Sequence, residues 1–326
     1  MRIGVTGGAG FVGATFVRQA VVAGHDVLNF DALTASATLA DVWDLEDVPN
    51  YALVPGDITD RAALHDTMAQ FRPDVIVHLA HAGPSTLTDD TASAYLQTNV
   101  LGVETVLDVA QTVGVGRVVL THHHFPAQLK YTDKFVASKQ AAFLVSQAFA
   151  AQSDIDVIHS FAPSVFGPRQ SPIHPISLTI QRLLDGRSVV IPNGAEAAME
   201  LIFVDDYAAG LLLLCETGAA DVNHLLAGPR QIRPLGIARQ ICNALQSHFP
   251  EADTQFSDLL DVRALATGEG KSKAGANGMD IMRGNFPYHK AITQTVTWQM
   301  TEGLANGHAV ARRAFDQDET LTVSAA

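Results

Sequence analysis

The chain has 326 residues, of which 47% are hydrophobic and 17% charged. That is enough apolar material for a large α/β core and too little charge for wholesale disorder. A formal net charge of −13 repels nucleic acid and anionic membrane, so neither is expected as a partner.

Met1 runs straight into a strand pattern, with no charged leader and no apolar stretch long enough for a bilayer. The two cysteines, Cys215 and Cys242, imply no disulfide framework and read as buried thiols of a reducing compartment. The cytoplasm is the expected location.

Arg2 to Thr6 form a short apolar strand that runs into a glycine turn. Phe11, Val12, Phe16, Val17, Ala20 and Val21 then recur at helical spacing, and Gly24 closes that helix as a C-cap would. Val27 to Phe30 predict a second strand, closing on Asp31. This βαβ unit favours a parallel sheet. The alternation continues with a strand at Tyr51 to Val54, the turn Gly56-Asp57-Ile58-Thr59-Asp60, and a helix over 61–71. An apolar strand of the doubly buried type follows at Asp74 to Leu79. Residues 90–112 predict one long helix, Arg117 to Leu120 a strand, 134–150 a helix, and Val157 to Phe161 a sixth strand.

Beyond about residue 166 the texture changes. Pro163, Pro168, Pro172, Pro175 and Pro192 cluster there, and one further strand is expected at Val222 to Leu226. The expected fold is α/β: a doubly wound parallel Rossmann sheet with a smaller, interleaved C-terminal α/β lobe. Residues 1–165, with a later strand near 222–228, form the dinucleotide-binding domain, and 166–326 mainly the substrate-binding lobe. Residues 264–279 read as a flexible loop and 315–326 as a loose acidic tail.

The glycine turn carries chemistry. In Thr6-Gly7-Gly8-Ala9-Gly10-Phe11-Val12-Gly13, Gly7 permits the tight turn, Gly10 lets the backbone approach a pyrophosphate, and Gly13 lets the helix pack close to the sheet. The helix start then offers free N–H groups and a partial positive charge. Asp31, at the end of the second strand, suits an adenosine ribose and repels a 2′-phosphate, which favours NAD over NADP. Asp57-Ile58 either flanks an adenine or simply forms a turn before Thr59.

These stretches, with Arg72-Pro73-Asp74, His78-Leu79-Ala80, Thr98-Asn99-Val100-Leu101-Gly102, Ala137-Ser138-Lys139, Phe166-Gly167-Pro168, Phe203-Val204-Asp205-Asp206 and Val222-Asn223-His224, run in one order along the chain. The sequence resembles the extended short-chain dehydrogenases/reductases, and more closely their nucleotide-sugar epimerases and dehydratases. The resemblance implies NAD contacts from Gly7, Gly10, Phe11, Val12, Asp31, Asp57, Ile58, Leu79, Ala80, Asn99 and Lys139. It also implies a small-molecule substrate of the nucleotide-sugar or related sugar class, oxidoreductase or lyase chemistry, and a homodimer built from the helices near 90–112 and 134–150.

The catalytic residues depart from that pattern. A family Tyr-x-x-x-Lys pair reads here Phe135-Val136-Ala137-Ser138-Lys139, and Phe135 has no oxygen to accept a proton. His123 falls where a catalytic Ser or Thr is expected, and His124 where dehydratases carry an acid. Val165 precedes Phe166-Gly167-Pro168 where an Asn is expected, and Met199 stands where an Arg would grip a diphosphate. Arg169, Arg187, Arg263 and Arg283 are the candidate replacements.

His123 and Tyr131 are the candidate stand-in bases, with Lys139 kept. His81 follows one strand and His122 to His124 the next, so they are candidates to converge at one sheet edge; alternation along the strand separates His123 from His122 and His124. Their spacing matches no metal motif, and no metal is expected. Two readings stand. One is an NAD-dependent epimerase/dehydratase-like enzyme with a replaced base; the other is a catalytically degenerate NAD-binding protein with a scaffold or sensing role.

Overall fold

The computed structural model describes residues 1–34, 37, 39–83, 92–124, 133–193, 198–252, 255–264 and 279–303. The first half runs β1 (Arg2–Thr6), α1 (Phe11–Val22), β2 (Asp26–Asp31), β3 (Tyr51–Pro55), α2 (Arg61–Phe71), β4 (Val75–His78), α3 (Ala92–Tyr95), α4 (Gly102–Val113), β5 (Arg117–His123), α5 (Lys134–Ala150) and β6 (Asp156–Ala162). The second half runs β7 (Ser164–Phe166), α6 (Pro175–Leu184), β8 (Val189–Asn193), β9 (Leu201–Phe203), α7 (Val204–Thr217), β10 (Asn223–Ala227), α8 (Pro234–His248), β11 (Leu260–Ala264), β12 (Met279–Arg283) and α9 (Tyr288–Trp298).

Eight strands form one parallel sheet in the order β12-β10-β6-β5-β4-β1-β2-β3. Alternate residues of each central strand face opposite layers. Val5, Val77, Val119 and Ile158 pack with α1 and α7 through Phe16, Val17, Ala208 and Leu211. Ile76, Val118, Leu120 and Val157 pack with α2, α4 and α5 through Leu64, Met68, Val106, Leu107 and Ala142. This two-sided burial is why the strands read as apolar runs. The order reverses between β1 and β4, so the crevice at the carboxyl ends of these strands is where a doubly wound sheet binds ligands.

The C-terminal segments build a second apolar cluster from Phe166, Ile176, Ile180, Ile237, Ile241 and Ile292. Two short parallel pairs, β7 with β9 and β8 with β11, stand beside it.

Several expectations are corrected. The single helix expected over 90–112 is broken: between α3 and α4, Leu96–Leu101 form a π-helical turn. The wider turn directs Asn99 inward, where it is buried and hydrogen-bonded. Strand β5 extends to His123 because β6 continues beside it, pairing His122 with Phe161 and His123 with Ala162. Ala264 and Met279, expected in a loop, end one strand and begin another. Residues 265–278 and the tail at 315–326 lie outside the described residues. Gly24, at φ +84°, follows α1 as the cap expected there.

Candidate active site

Strand β1 ends at Thr6, and Gly7 turns the chain at φ +78°. A Cβ on Gly13 would overlap the Gly7 carbonyl oxygen, so helix and turn touch through bare backbone. At Gly10 the nearest atom to such a Cβ would be that same oxygen, at 3.5 Å, which leaves the outer side of the loop open. No side chain caps α1 at Gly10, so its leading amides remain for an anion.

The Asp31 carboxylate is buried and oriented by two amides. Oδ2 accepts from Ala9 N at 2.8 Å and Oδ1 from Leu33 N at 2.8 Å. Each oxygen keeps lone-pair capacity for a ribose hydroxyl. Asn29, not among the residues expected at the site, accepts from Gly8 N at 2.9 Å and donates to the Tyr51 hydroxyl at 2.9 Å. Its signal was a lone amide between the apolar Leu28 and Phe30, since a buried polar group needs partners. Asp57 Oδ1 accepts from Thr59 N and Oγ1, at 2.8 and 2.9 Å, in a closed turn beside the buried Ile58. Leu79 is buried, and Ala80 N would lie 2.5 Å from a Cβ on Gly7, so the end of β4 abuts the glycine turn. An open glycine face, uncapped helix amides and a fixed carboxylate together fit a dinucleotide.

The positions expected to be catalytic sit beside this loop. Lys139 is buried, and its Nζ donates to the Thr121 carbonyl at 3.3 Å. Burial pushes its pKa down to about 8. Phe135, one helical turn earlier, meets three rings: His123 at 5.4 Å between centroids, Tyr95 at 5.8 Å and His81 at 6.1 Å. His81 and His123 are edge to face at 6.1 Å. The convergence expected of the sheet-edge histidines is thus met by His81 and His123. His122 faces the other way, into Phe143, Phe161 and His159, and hydrogen-bonds His159 across 3.1 Å. His124 is half-buried. Tyr131 lies outside the described residues.

The imidazoles are held neutral. Burial first, and then the Lys139 ammonium, lower His78 to about 3 and His81 to about 4. The same two causes, in the same order, hold His122 and His123 well below their usual value. His81 is exposed on one side; water there weakens the burial effect and leaves its direction unchanged.

Asn99 is a clamp in this arrangement. Its Oδ1 accepts from Ala82 N at 2.7 Å, and its Nδ2 donates to Ala82 O at 3.0 Å and to Ser138 Oγ at 2.9 Å. Both amide hydrogens are therefore engaged within the protein.

Of the four arginine candidates, Arg169 adopts φ +69° and places Nε 3.4 Å from the Asp41 carboxylate. Arg283 donates through Nη1 to Glu200 at 2.6 Å and to Gly228 O at 2.9 Å. That sets a cation beside the residue following Met199, whose backbone is bridged to Ile232. Arg187 closes the turn after α6 through its backbone N–H to Arg182 O. Arg263 lies on β11. Val165 lies on β7, paired with Ile202 of β9.

Among the described residues, no group of three or more His, Cys, Asp or Glu is placed to hold a metal ion. No described helix is long and apolar enough to cross a membrane.

Residues 3–227 match the model of the NAD dependent epimerase/dehydratase family. The chain is 29% identical over 283 residues to a dTDP-glucose 4,6-dehydratase of Neisseria gonorrhoeae, covering 78% of this chain and 82% of that one. The crystal structure of DesIV, a dTDP-glucose 4,6-dehydratase from Streptomyces venezuelae solved with NAD, superposes with a TM-score of 0.75 at 25% identity over 93% of this chain and 98% of that one. A Thermotoga maritima UDP-glucose 4-epimerase shares the fold, with a TM-score of 0.72 at 18% identity, covering 92% of this chain and 99% of the other.

Proposed function

Because the chain belongs to the NAD-dependent epimerase/dehydratase family, we propose that it oxidises a sugar hydroxyl of a nucleotide-sugar, with an imidazole taking the proton that a tyrosine would otherwise take. The cofactor is NAD; when bound, it accepts and returns a hydride. Gly7, Gly10 and Gly13, with the amides at Phe11 and Val12, are the residues that would hold its pyrophosphate, and Asp31 its adenosine ribose. The 2′-phosphate of NADP would meet the buried Asp31 carboxylate.

The observation that carries the proposal is the grouping of Phe135, His81, His123 and Lys139 at the carboxyl end of β4 and β5. Substitution has removed the phenol at position 135, and neutral imidazoles border the space around it. A neutral imidazole can accept a hydroxyl proton, and the Lys139 charge stabilises the alkoxide character that develops. The reaction proceeds through a keto sugar to epimerisation, loss of water or net oxidation. Arg283, paired with Glu200 next to Met199, is the candidate cation for a diphosphate.

The test mixes protein, NAD, and dTDP-glucose or UDP-glucose, and follows NADH absorbance together with loss of water or epimer formation. Turnover is expected. NAD binding with neither turnover nor sugar-nucleotide binding would sink the enzyme reading and leave the scaffold one.

We further infer a homodimer and a cytoplasmic location. Leu96, Leu101 and Leu144 are exposed at 51%, 57% and 63% on the π-turn and α5, two elements in contact, and exposed apolar side chains there suit a second copy. Free, buried Cys215 and Cys242 suit a reducing compartment. A monomer in sedimentation at micromolar concentration would refute the dimer.

A further inference from the structure

We propose that His81 is the catalytic proton acceptor of this site, through Nε2, and that His123 is its neighbour and not the base. The inference rests on the enzyme reading above and names the group that this reading leaves open.

His81 Nδ1 lies 3.1 Å from the Leu79 carbonyl oxygen. A carbonyl oxygen only accepts, so Nδ1 carries the hydrogen and, in the neutral ring, Nε2 carries the lone pair. Among the described residues Nε2 has no hydrogen-bond partner, and the residue is exposed. A base with a fixed tautomer and an accessible lone pair is what proton abstraction needs.

His78 pairs in register with Thr6, the residue before the glycine turn, and His81 follows three residues later at the same sheet edge. The ring stands 6.1 Å from Phe135, whose side chain occupies the phenol's place, and within the influence of the Lys139 ammonium.

Leu79 O holds the ring from one side. From the other, Asn99 holds both backbone groups of Ala82, and the same amide is bonded to Ser138 of α5, the helix that carries Phe135 and Lys139. Ring, lysine and phenylalanine are thereby referred to one frame. His123 is half-buried and stands edge to face with Phe135 at 84°, whereas His81 is exposed.

The proton step balances simply. The substrate O–H bond breaks, its proton joins the Nε2 lone pair, and the oxygen keeps the electron pair that becomes the second carbonyl bond as the carbon's hydride passes to the nicotinamide cofactor. On return of the hydride, Nε2–H gives the proton back.

The experiment uses the full chain with NAD and dTDP-glucose or UDP-glucose, whichever turns over. His81→Gln is expected to lower kcat by about 10²- to 10⁴-fold, the usual worth of a general base, with KM and NAD affinity unchanged. His123→Gln is expected to lower kcat by less than His81→Gln does. His81→Gln with Phe135→Tyr should recover activity, because a phenol then stands again beside Lys139. Independently of activity, ¹⁵N-histidine NMR of the NAD complex should show His81 as the Nδ1–H tautomer with Nε2 bare. Full activity in His81→Gln, loss of NAD binding along with kcat, or an Nε2–H tautomer each overturns the proposal. A wild-type protein without turnover overturns the enzyme reading and this proposal with it, whereas turnover that survives His81→Gln overturns this proposal alone.

Discussion

The Gly7 carbonyl oxygen occupies the space that a Cβ on Gly13 would need, whereas a Cβ on Gly10 would sit 3.5 Å from that same oxygen. The two glycines therefore answer different demands. Gly13→Ala forces backbone apart and is expected to destabilise the protein by roughly 1–3 kcal/mol, the usual size of an overpacking defect. Gly10 has φ −79° and ψ 177°, a conformation any residue adopts. Gly10→Ala should fold with an unchanged melting temperature yet bind NAD at least about tenfold more weakly, because its methyl points to where the pyrophosphate approaches. Thermal unfolding and NAD titration of both variants separate the packing role from the binding role. Equal loss of stability in both would contradict it.

Asp31 links the glycine turn to the β2 end through Ala9 N and Leu33 N. Asp31→Ser removes the charge and shortens the reach. NAD affinity should fall by about tenfold or more, as expected when charge-assisted hydrogen bonds worth roughly 1.5–3 kcal/mol are lost. NADP should gain on NAD, since a buried carboxylate no longer opposes its phosphate. Parallel titrations with both cofactors measure this, and an unchanged NAD:NADP ratio would remove Asp31 as the selecting group.

Asn99 holds the two backbone groups of Ala82 and the Ser138 hydroxyl. Asn99→Ala leaves those groups without their partner, at a cost of about 1–3 kcal/mol. The larger expected effect is on rate: with the loop after His81 released, kcat should drop further than stability explains. Comparing kcat well below the variant's melting temperature with that of wild type tests this. A rate loss that vanishes on cooling would reduce Asn99 to a fold residue.

The sequence disclosed the periodic parts of this structure. Apolar runs such as Val75 to Val77 and Val118 to Leu120 are buried on both faces and could hardly be read otherwise. The glycine turn was equally plain, because strand, turn and helix had to follow one another. The π-helical turn at Leu96–Leu101 was hidden, since a one-residue change of period inside an apolar helix leaves no compositional mark and depends on what Asn99 meets. Strands β7 and β9 are three residues long and β11 and β12 mix polar with apolar residues, so their pairing is set by tertiary contacts. Around Phe135 the sequence showed a departure from the expected Tyr, and the imidazoles grouped there were legible only as a shared sheet edge. That His81 and not His122 stands against Phe135 follows from strand register and from the Leu79 hydrogen bond, neither of which a linear pattern records.

His122 and His159 form a buried pair across 3.1 Å, packed between Phe143 and Phe161, and His122 Nδ1 has no partner among the described residues. Burial lowers His159 from 6.5 to about 4. Between those values the unfolded chain binds a proton that the folded chain refuses, so stability rises with pH there and falls as the pH drops below about 6.5. The slope from this residue alone is about 1.4 kcal/mol per pH unit. His78 and His174, lowered by burial to about 3 and about 4, act in the same direction. The protein should therefore lose stability steeply on going from about pH 7 to about pH 5. His159→Asn keeps an amide that can bond the His122 ring but cannot titrate. It should reduce the difference in unfolding free energy between those two pH values by about 1–2 kcal/mol, measured by urea denaturation. An unchanged pH slope in that variant would mean that His159 is not neutral in the folded state.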